Sequence, residues 1–167
     1  RVHLAMENID IVFHAAAMKH VLACEHNPFE AVKTNVYGTQ NIIDCALENS
    51  VDKVIGISTD KATEPTSVMG CTKLLAEKIM SASYFYKGGK KTKFSFVRFG
   101  NVLFSRGSVV PLFIDQIRAG GPVTVTDESM VRFIMSTTEA VNLIFKAMMM
   151  MRDREIFIAT DDIQINI

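Results

Sequence analysis

Three consecutive polar residues, Thr59, Asp60 and Lys61, could carry acid–base chemistry. They supply a hydroxyl, a carboxylate and an amine directly after the apolar run 54–57, which we predict to be a buried strand. Such a trio at the mouth of a sheet can give protons to one substrate and take them from it. A turn explains the same residues, because Asp and Thr hydrogen-bond their own backbone and Pro65 follows. This segment alone leaves both interpretations open.

A second pair, Met69 and Lys73, lies in the helix that we predict from residue 68 to about residue 86. Their spacing of four residues puts both side chains on one helix face. Core packing of the methionine and a solvated lysine would also explain them. His14 ends the first predicted strand, where a hydrogen-bonded structural histidine is a simpler interpretation than a catalytic base.

The elements that must position these residues alternate between strands and helices. We predict strands at residues 9–13, 54–57, 93–99, 123–126 and 155–159. We predict helices at residues 27–49, 68–86, 108–119 and 136–151, the first capped by Asn27 and the last opened by a capping box. This alternation indicates an α/β fold with a parallel sheet, whose ligands bind beyond the carboxyl ends of the strands.

Bulk composition limits the classes of partner. The 167 residues carry 18 basic and 18 acidic side chains, so no net charge favours nucleic acid or an anionic membrane face. No apolar run approaches the length of a membrane span. The three cysteines are widely spaced and form no metal motif or disulfide framework, which predicts no metal site and favours a reducing, cytoplasmic location.

Several segments together resemble the extended short-chain dehydrogenase/reductases. They are more specifically similar to UDP-N-acetylglucosamine 4,6-dehydratases of surface polysaccharide and glycan biosynthesis. The matching segments, in family order, are VFHAAAMKHV, NPFEAVKTNVYGTQNII, VDKVIGISTDKATEPTSVMGCTKLLAEK, FSFVRFGNVLFSRGSVVPLF, PVTVTDESMVRF and EAVNLI. The resemblance implies a Rossmann-like, doubly wound parallel sheet. It divides the chain into a partial NAD(P)-binding domain at 1–100, a mainly substrate-binding segment at 101–135, and a helix and strand at 136–167 that return to the sheet.

The chain departs from the family pattern in two places. No glycine precedes Gly38, so the glycine-rich loop that holds the cofactor pyrophosphate is missing, and we expect the chain as given to hold a dinucleotide poorly. Met69 stands where the family commonly has tyrosine, and a thioether cannot exchange protons. Some long, membrane-anchored members also carry methionine there, so the change does not by itself predict an inactive enzyme.

The resemblance implies an internal redox elimination on a UDP-N-acetylhexosamine, with NAD or NADP regenerated in each turnover. Asp60 matches the acid that protonates the leaving C6 hydroxyl, and Lys61 matches the C5 base. Thr59 matches the hydroxyl that bonds the C4 oxygen, and Lys73 the lysine that holds the nicotinamide ribose. Met69 leaves the C4-hydroxyl base unassigned. We hypothesise that Asp60 takes that proton too, through Thr59 or a water.

Further residues are assigned by the same resemblance. Positions that match cofactor contacts are Ala15, Ala16, Ala17, Lys19, Asn35, Ser58, Lys73 and Phe99. Positions that match substrate contacts are His20, Asn101, Ser105, Arg106, Ser108, Thr126 and Arg132. The planar fork of arginine suits the nucleotide diphosphate. Relatives assemble through helices equivalent to 27–49 and 68–86, which implies a homo-oligomer.

Three alternatives stay open. A nucleotide-sugar 4-epimerase on the same scaffold would reduce the keto intermediate at C4 and would have little use for the C5 base that Lys61 matches. A cofactor-sensing or assembly module without turnover is a second alternative. An inactive fragment of an active protein is the third.

Overall fold

The computed structural model describes residues 1–127, 129–159 and 163–166, and four parallel strands form its main sheet. These are β1 (Ile11–His14), β2 (Lys53–Thr59), β3 (Lys93–Phe99) and β6 (Glu155–Ile158), in the order β1-β2-β3-β6. A second sheet contains β4 (Asn101–Val102), β5 (Val131–Met135) and β7 (Ile163–Asn166). In it β4 runs parallel to β5, and β7 runs antiparallel to β5.

Helices connect the parallel strands. They are α1 (Val2–Ala5), α2 (Val21–His26), α3 (Pro28–Ala31), α4 (Gly38–Glu48), α5 (Val68–Ala82), α6 (Val109–Arg118) and α7 (Thr137–Met150). A π-helical stretch, Val32–Tyr37, joins α3 to α4, so the helix predicted at 27–49 is one element with a widened turn. The capping box predicted for the last helix is confirmed, since Ser136 and Glu139 each bond the backbone of the other.

Apolar side chains project from both faces of the main sheet, so helices pack on either side of it. Val54 and Phe94 pack with the α4 and α5 residues Ile43 and Met80 on one face. Ile55 and Val97 pack against α7 on the opposite face. The prediction of a doubly wound α/β sheet is confirmed. The domain boundaries stay predictions, and residues 160–162 and 167 of the last segment lie outside the described residues.

Some local predictions are wrong. No strand forms at 123–126, because Thr124 bonds the side chain of Gln116 on α6 through its amide N–H (3.0 Å) and its hydroxyl (2.7 Å). Asn27 does not cap α3, since its side-chain amide donates to the Ala23 carbonyl instead (3.0 Å). The sequence does not predict the helix α2 or the strands β4, β5 and β7, because each is short and is defined by its tertiary partners.

Candidate active site

A cleft of about 410 Å³ opens where β1, β2 and β3 end. Parallel strands present their carboxyl ends at one edge of the sheet, so the loops that follow them meet there. The predicted site residues that line the cleft are Ala15, Ala17, Lys19, His20, Ser58, Thr59, Lys61, Met69, Lys73, Phe99, Asn101, Ser105 and Ser108. The predicted residues outside this lining are Ala16, Asn35, Asp60, Arg106, Thr126 and Arg132.

The polar trio forms a single hydrogen-bonded network at the end of β2. The Thr59 hydroxyl donates to Asp60 Oδ1 (2.8 Å), and the Lys61 ammonium donates to the same oxygen (2.9 Å). Lys61 Nζ also donates to Oδ1 of Asn101, which follows β3 (3.0 Å). A short 3₁₀ turn, Asp60–Ala62, follows β2 and holds this arrangement. Thr59 and Lys61 line the cleft, and Asp60 lies behind them.

The Asp60 carboxyl is held in its ionised form. Its burial opposes ionisation, but hydrogen bonds from Lys61 and Thr59 outweigh that cost and hold its pKa below the usual range. The free side of Asp60 faces a second, smaller cavity of about 200 Å³, whose other lining residues are Thr63, Arg98, Phe99, Gly100, Phe133, Ile158 and Ala159. Asp60 therefore reaches the main cleft through Thr59 and Lys61 and is in the charge state of a base at neutral pH.

Lys73 lies at the floor of the cleft, and its ammonium donates a hydrogen bond to the Ile57 carbonyl. Burial lowers the pKa of Lys73 to about 8, and the carboxylate of Glu77, one helical turn further on, partly opposes that shift. His14 is buried and its Nε2 lies 3.0 Å from the Thr39 hydroxyl. Burial, with the charge of Lys73, lowers the pKa of His14 to about 4, which confirms the interpretation of a structural histidine.

Two supporting residues, Glu77 and Arg98, were missed by sequence reasoning. Glu77 is almost fully buried and accepts hydrogen bonds from Ser58 Oγ and from Arg98 Nε (2.8 Å) and Nη2 (2.5 Å). The spacing from Lys73 to Glu77 was the available signal, because residues four apart share a helix face. The partner Arg98 lies opposite Ser58 in the β2–β3 register, which the sequence does not reveal.

Asn35 connects the loop after β1 to α5 by side-chain hydrogen bonds. Its Oδ1 accepts from the Met18 amide (2.8 Å), and its Nδ2 donates to the Met18 carbonyl (3.0 Å) and to the Thr72 hydroxyl (2.9 Å). These bonds fix the loop after β1 to α5. Asn35 thus bonds the loop that lines the cleft and is itself buried in the π-helical stretch.

Met69 packs into the protein while lining the cleft. It is 4% exposed and clusters with Cys24 of α2 and Ala31 of α3. The same helix face carries Lys73, as its spacing predicted. Met69 therefore has a packing role, and its thioether supplies no proton-transfer group to the cleft.

At the rim, the loop after β1 meets the loop before α6. Gly107 has a φ of +72° and lies so close to His20 that a Cβ built on it would stand 2.2 Å from His20 Cε1. The neighbouring Ser108 begins α6 without a side-chain cap, and its buried hydroxyl has no hydrogen-bond partner within the described part of the chain. Both Gly107 and Ser108 line the cleft.

Three predicted substrate contacts lie away from the cleft lining. Arg106 and Thr126 are exposed, and Arg132 Nη1 donates to the neighbouring Val131 carbonyl (2.8 Å). Their assignments stay predictions. No helix within the described residues is long and apolar enough to cross a membrane.

Comparison with known sequences places these features among relatives. The sequence model of a family described as polysaccharide biosynthesis protein matches residues 1–167. An uncharacterized membrane protein of Methanocaldococcus jannaschii is 60% identical, over 95% of this chain and 47% of that protein. A UDP-glucose 4-epimerase of Rickettsia canadensis is 47% identical, over 92% and 45%. A UDP-N-acetylglucosamine 4,6-dehydratase (inverting) of Campylobacter jejuni is 46% identical, over 95% and 48%. The chain therefore spans about half the length of the curated relatives it matches.

Solved structures show the same fold. The X-ray structure of Pen from Bacillus thuringiensis has a TM-score of 0.95 and 50% identity, covering 99% of this chain and 52% of that one. A dTDP-glucose 4,6-dehydratase, DesIV from Streptomyces venezuelae, has a TM-score of 0.90 at 22% identity, covering 99% and 56%. That second likeness concerns the fold alone.

Proposed function

Since this chain belongs to the polysaccharide biosynthesis protein family, we propose that it carries the acid–base centre of a nucleotide-sugar 4,6-dehydratase. The substrate is UDP-N-acetylglucosamine, and the product is a UDP-4-keto-6-deoxy-hexosamine. The Campylobacter jejuni relative named for this reaction supports the proposal. Because the chain spans about half of that relative, the activity is proposed for the protein of which these residues form the acid–base part.

The hydrogen-bonded trio is the observation that carries this proposal. Thr59 donates its proton toward an ionised Asp60, which is the direction needed to draw a proton from a sugar C4 hydroxyl bonded to Thr59. Asp60 then holds a proton that it can give to the leaving C6 hydroxyl. Lys61 and Asn101 bond each other at the same edge of the cleft, where Lys61, once neutral, acts on the C5 proton. The relay replaces the proton acceptor that Met69 cannot provide.

The described residues fit the nicotinamide end of NAD or NADP. Ala15 and Ala17 form a wall without long side chains, so a flat ring can approach the backbone there. Lys73 reaches the floor of the same cleft, where an ammonium can bond ribose hydroxyls. A bound nicotinamide would supply the redox chemistry, reversible hydride exchange with C4 and C6 of the sugar. The residues of this chain orient the sugar and move the protons.

The start of α6 fits the diphosphate of the substrate. The first backbone N–H groups of a helix have no partner within the helix, and they attract anions. The buried Ser108 hydroxyl adjoins them and has no hydrogen-bond partner within the described residues. The cationic side chain of Lys19 also lines the cleft. These groups support a diphosphate site at the start of α6.

A 4-epimerase is the second candidate, because the Rickettsia canadensis relative carries that name. Both reactions begin with oxidation at C4, so Thr59, Asp60 and Lys73 serve either. The two reactions differ at C5, because an epimerase does not remove the C5 proton. Lys61, bonded at the cleft edge to Asp60 and Asn101, favours the dehydratase.

Product NMR tests the proposal. The protein is incubated with NAD and UDP-N-acetylglucosamine in deuterated water. A C6 methyl signal with deuterium at C5 is expected of a dehydratase, whereas a C4 epimer without a methyl signal means an epimerase. No hydride transfer to NAD under conditions where the fold is intact contradicts both.

An Asp60→Asn variant tests the relay. Loss of one proton acceptor from Asp60 is expected to slow hydride transfer from C4 as well as water loss, by about 10²-fold or more. Full hydride transfer with blocked water loss contradicts the dual role of Asp60. Asn101→Ala is the matched control, because it removes a bond to Lys61 and leaves the Thr59–Asp60 relay intact.

A further inference from the structure

We propose that Glu77 and Arg98 form a tuning pair for Lys73. The Glu77 carboxylate favours the protonated form of Lys73, and the Arg98 guanidinium disfavours it. The pair lies next to the cleft, where Glu77 accepts from the lining residue Ser58 and Arg98 Nη1 donates to the Thr63 hydroxyl (3.4 Å). The tuning itself is a property of this fold, and its catalytic meaning rests on the proposed cofactor-holding role of Lys73. Glu77 and Arg98 are positioning residues in this account.

The geometry connects the pair to Lys73 through one strand and one helix. Lys73 and Glu77 lie one turn apart on α5, and they bond adjacent residues of β2, the Ile57 carbonyl and the Ser58 hydroxyl. Arg98 comes from β3, where it is paired with Ser58 in the sheet register. It grips Glu77 through two nitrogens, so the carboxylate is charge-compensated although its side chain is fully buried.

The titratable and charged groups that bear on Lys73 come from β1, the end of β2, α5 and β3. β1 supplies His14, whose low pKa makes it neutral above about pH 4. The end of β2 supplies the Asp60–Lys61 pair, whose opposite charges lie 2.9 Å apart and largely cancel. α5 supplies the Glu77 carboxylate, and β3 supplies the Arg98 guanidinium. Glu77 is therefore the anion that stabilises the Lys73 ammonium, and Arg98 weakens that effect.

The two single variants are expected to change proton binding by Lys73 in opposite directions, which distinguishes tuning from a purely structural role. Glu77→Gln removes the anion and leaves Arg98 unpaired, so Lys73 holds its proton less tightly. Arg98→Met leaves the Glu77 carboxylate without its partner, so Lys73 holds its proton more tightly. Both variants break the same ion pair, and a purely structural role would affect them alike.

The measurement is the pH dependence of trace acetylation of Lys73 by acetic anhydride, read by mass spectrometry in the full chain. The variants are Glu77→Gln, Arg98→Met and the double variant, which leaves no unpaired ion. Lys87→Met is the matched control, because it breaks a part-buried ion pair with Asp153 that connects the segment after α5 to β3. Circular dichroism identifies variants that retain the fold.

The midpoint for Lys73 is expected to fall in Glu77→Gln and to rise in Arg98→Met, each by about one pH unit. The double variant should lie between them, and Lys87→Met should match the wild type. Shifts in the same direction, or no shift, overturn the proposal, as does an equal shift in the control. If a single variant does not fold, a double variant outside about half a unit of the wild type also overturns it.

The outcome is independent of the proposed reaction. A protein that transfers no hydride to NAD contradicts the proposed function and leaves the titration of Lys73 as predicted. A protein that is active, with unchanged midpoints in both single variants, contradicts the tuning pair alone.

Discussion

The contact between His20 and Gly107 gives a prediction that can be worked out from two glycines. Gly107 and Gly120 both have a φ of +72°, so an alanine at either position adopts a left-handed conformation. They differ in their neighbours. A Cβ at Gly107 meets the His20 ring at 2.2 Å, whereas a Cβ at Gly120 has nothing within 4 Å. Gly120→Ala is therefore a matched control for Gly107→Ala.

The expected magnitudes follow from this difference. The left-handed conformation costs an alanine about 1 kcal/mol at both positions. At Gly107 the His20 ring must also leave its position, and a forced change of side-chain torsion adds about 0.5–1.5 kcal/mol. Gly107→Ala should therefore lower the free energy of unfolding by about 1 kcal/mol more than Gly120→Ala does.

A double-mutant cycle measured by urea unfolding tests the reasoning. Removing the ring with His20→Ala should abolish the extra cost of Gly107→Ala, which gives a coupling of about 1 kcal/mol between the two changes. The same cycle with Gly120→Ala should be additive. If Gly107→Ala costs no more than Gly120→Ala, or if its cycle with His20→Ala is additive, the two loops do not meet as described.

Three further changes have defined outcomes. The pKa of His14 is about 4 in the folded protein and about 6.5 in the unfolded chain. The contribution of His14 to stability is therefore full above pH 6.5, and the free energy of unfolding falls by up to about 3 kcal/mol as the pH drops to 4. His14→Gln should flatten this pH dependence in urea unfolding. Gly70→Ala would set a Cβ 2.5 Å from the Lys61 carbonyl oxygen and should lower the free energy of unfolding by more than about 2 kcal/mol. Gly38→Ala, whose Cβ would lie 3.7 Å from its nearest neighbour, should be neutral or stabilising. Equal unfolding midpoints for the two variants would contradict the close approach at Gly70. Met69→Ala should cost about 2–4 kcal/mol and Met69→Leu less than about 1.5, and a tolerated alanine would mean that Met69 does not pack as described.

Local sequence was sufficient for the longer elements and for one edge of the site. The apolar run of β2 and the helical period of α5 predicted both elements close to their observed bounds, because each depends on a repeating pattern of neighbours along the chain. The trio Thr59, Asp60 and Lys61 had to lie at the mouth of the sheet once β2 was a parallel strand. Local patterns failed at 123–126, where Gln116 competes for the backbone hydrogen bonds that a strand needs.

Motif resemblance named further residues whose placement it could not supply. The resemblance identifies Lys73 and Asn35, but it does not show that Lys73 bonds the Ile57 carbonyl at the cleft floor or that Asn35 bonds the loop after β1. Arg106 and Arg132 were identified in the same way, and they lie outside the cleft lining. A motif carries residue type and order, whereas a cleft depends on where loops from distant elements come to rest.

The directions of the interactions depended on tertiary structure. The residue string contains a hydroxyl, a carboxylate and an amine, but only the folded turn shows that Thr59 donates toward an ionised Asp60. The pairing of Glu77 with Arg98 joins residues 21 positions apart through the β2–β3 register, and the His20–Gly107 contact joins two loops. Local sequence sets which groups are available, because spacing along a strand or helix fixes their faces. The charge states of these groups and the direction of their hydrogen bonds depend on burial and on partners that only the folded structure brings together.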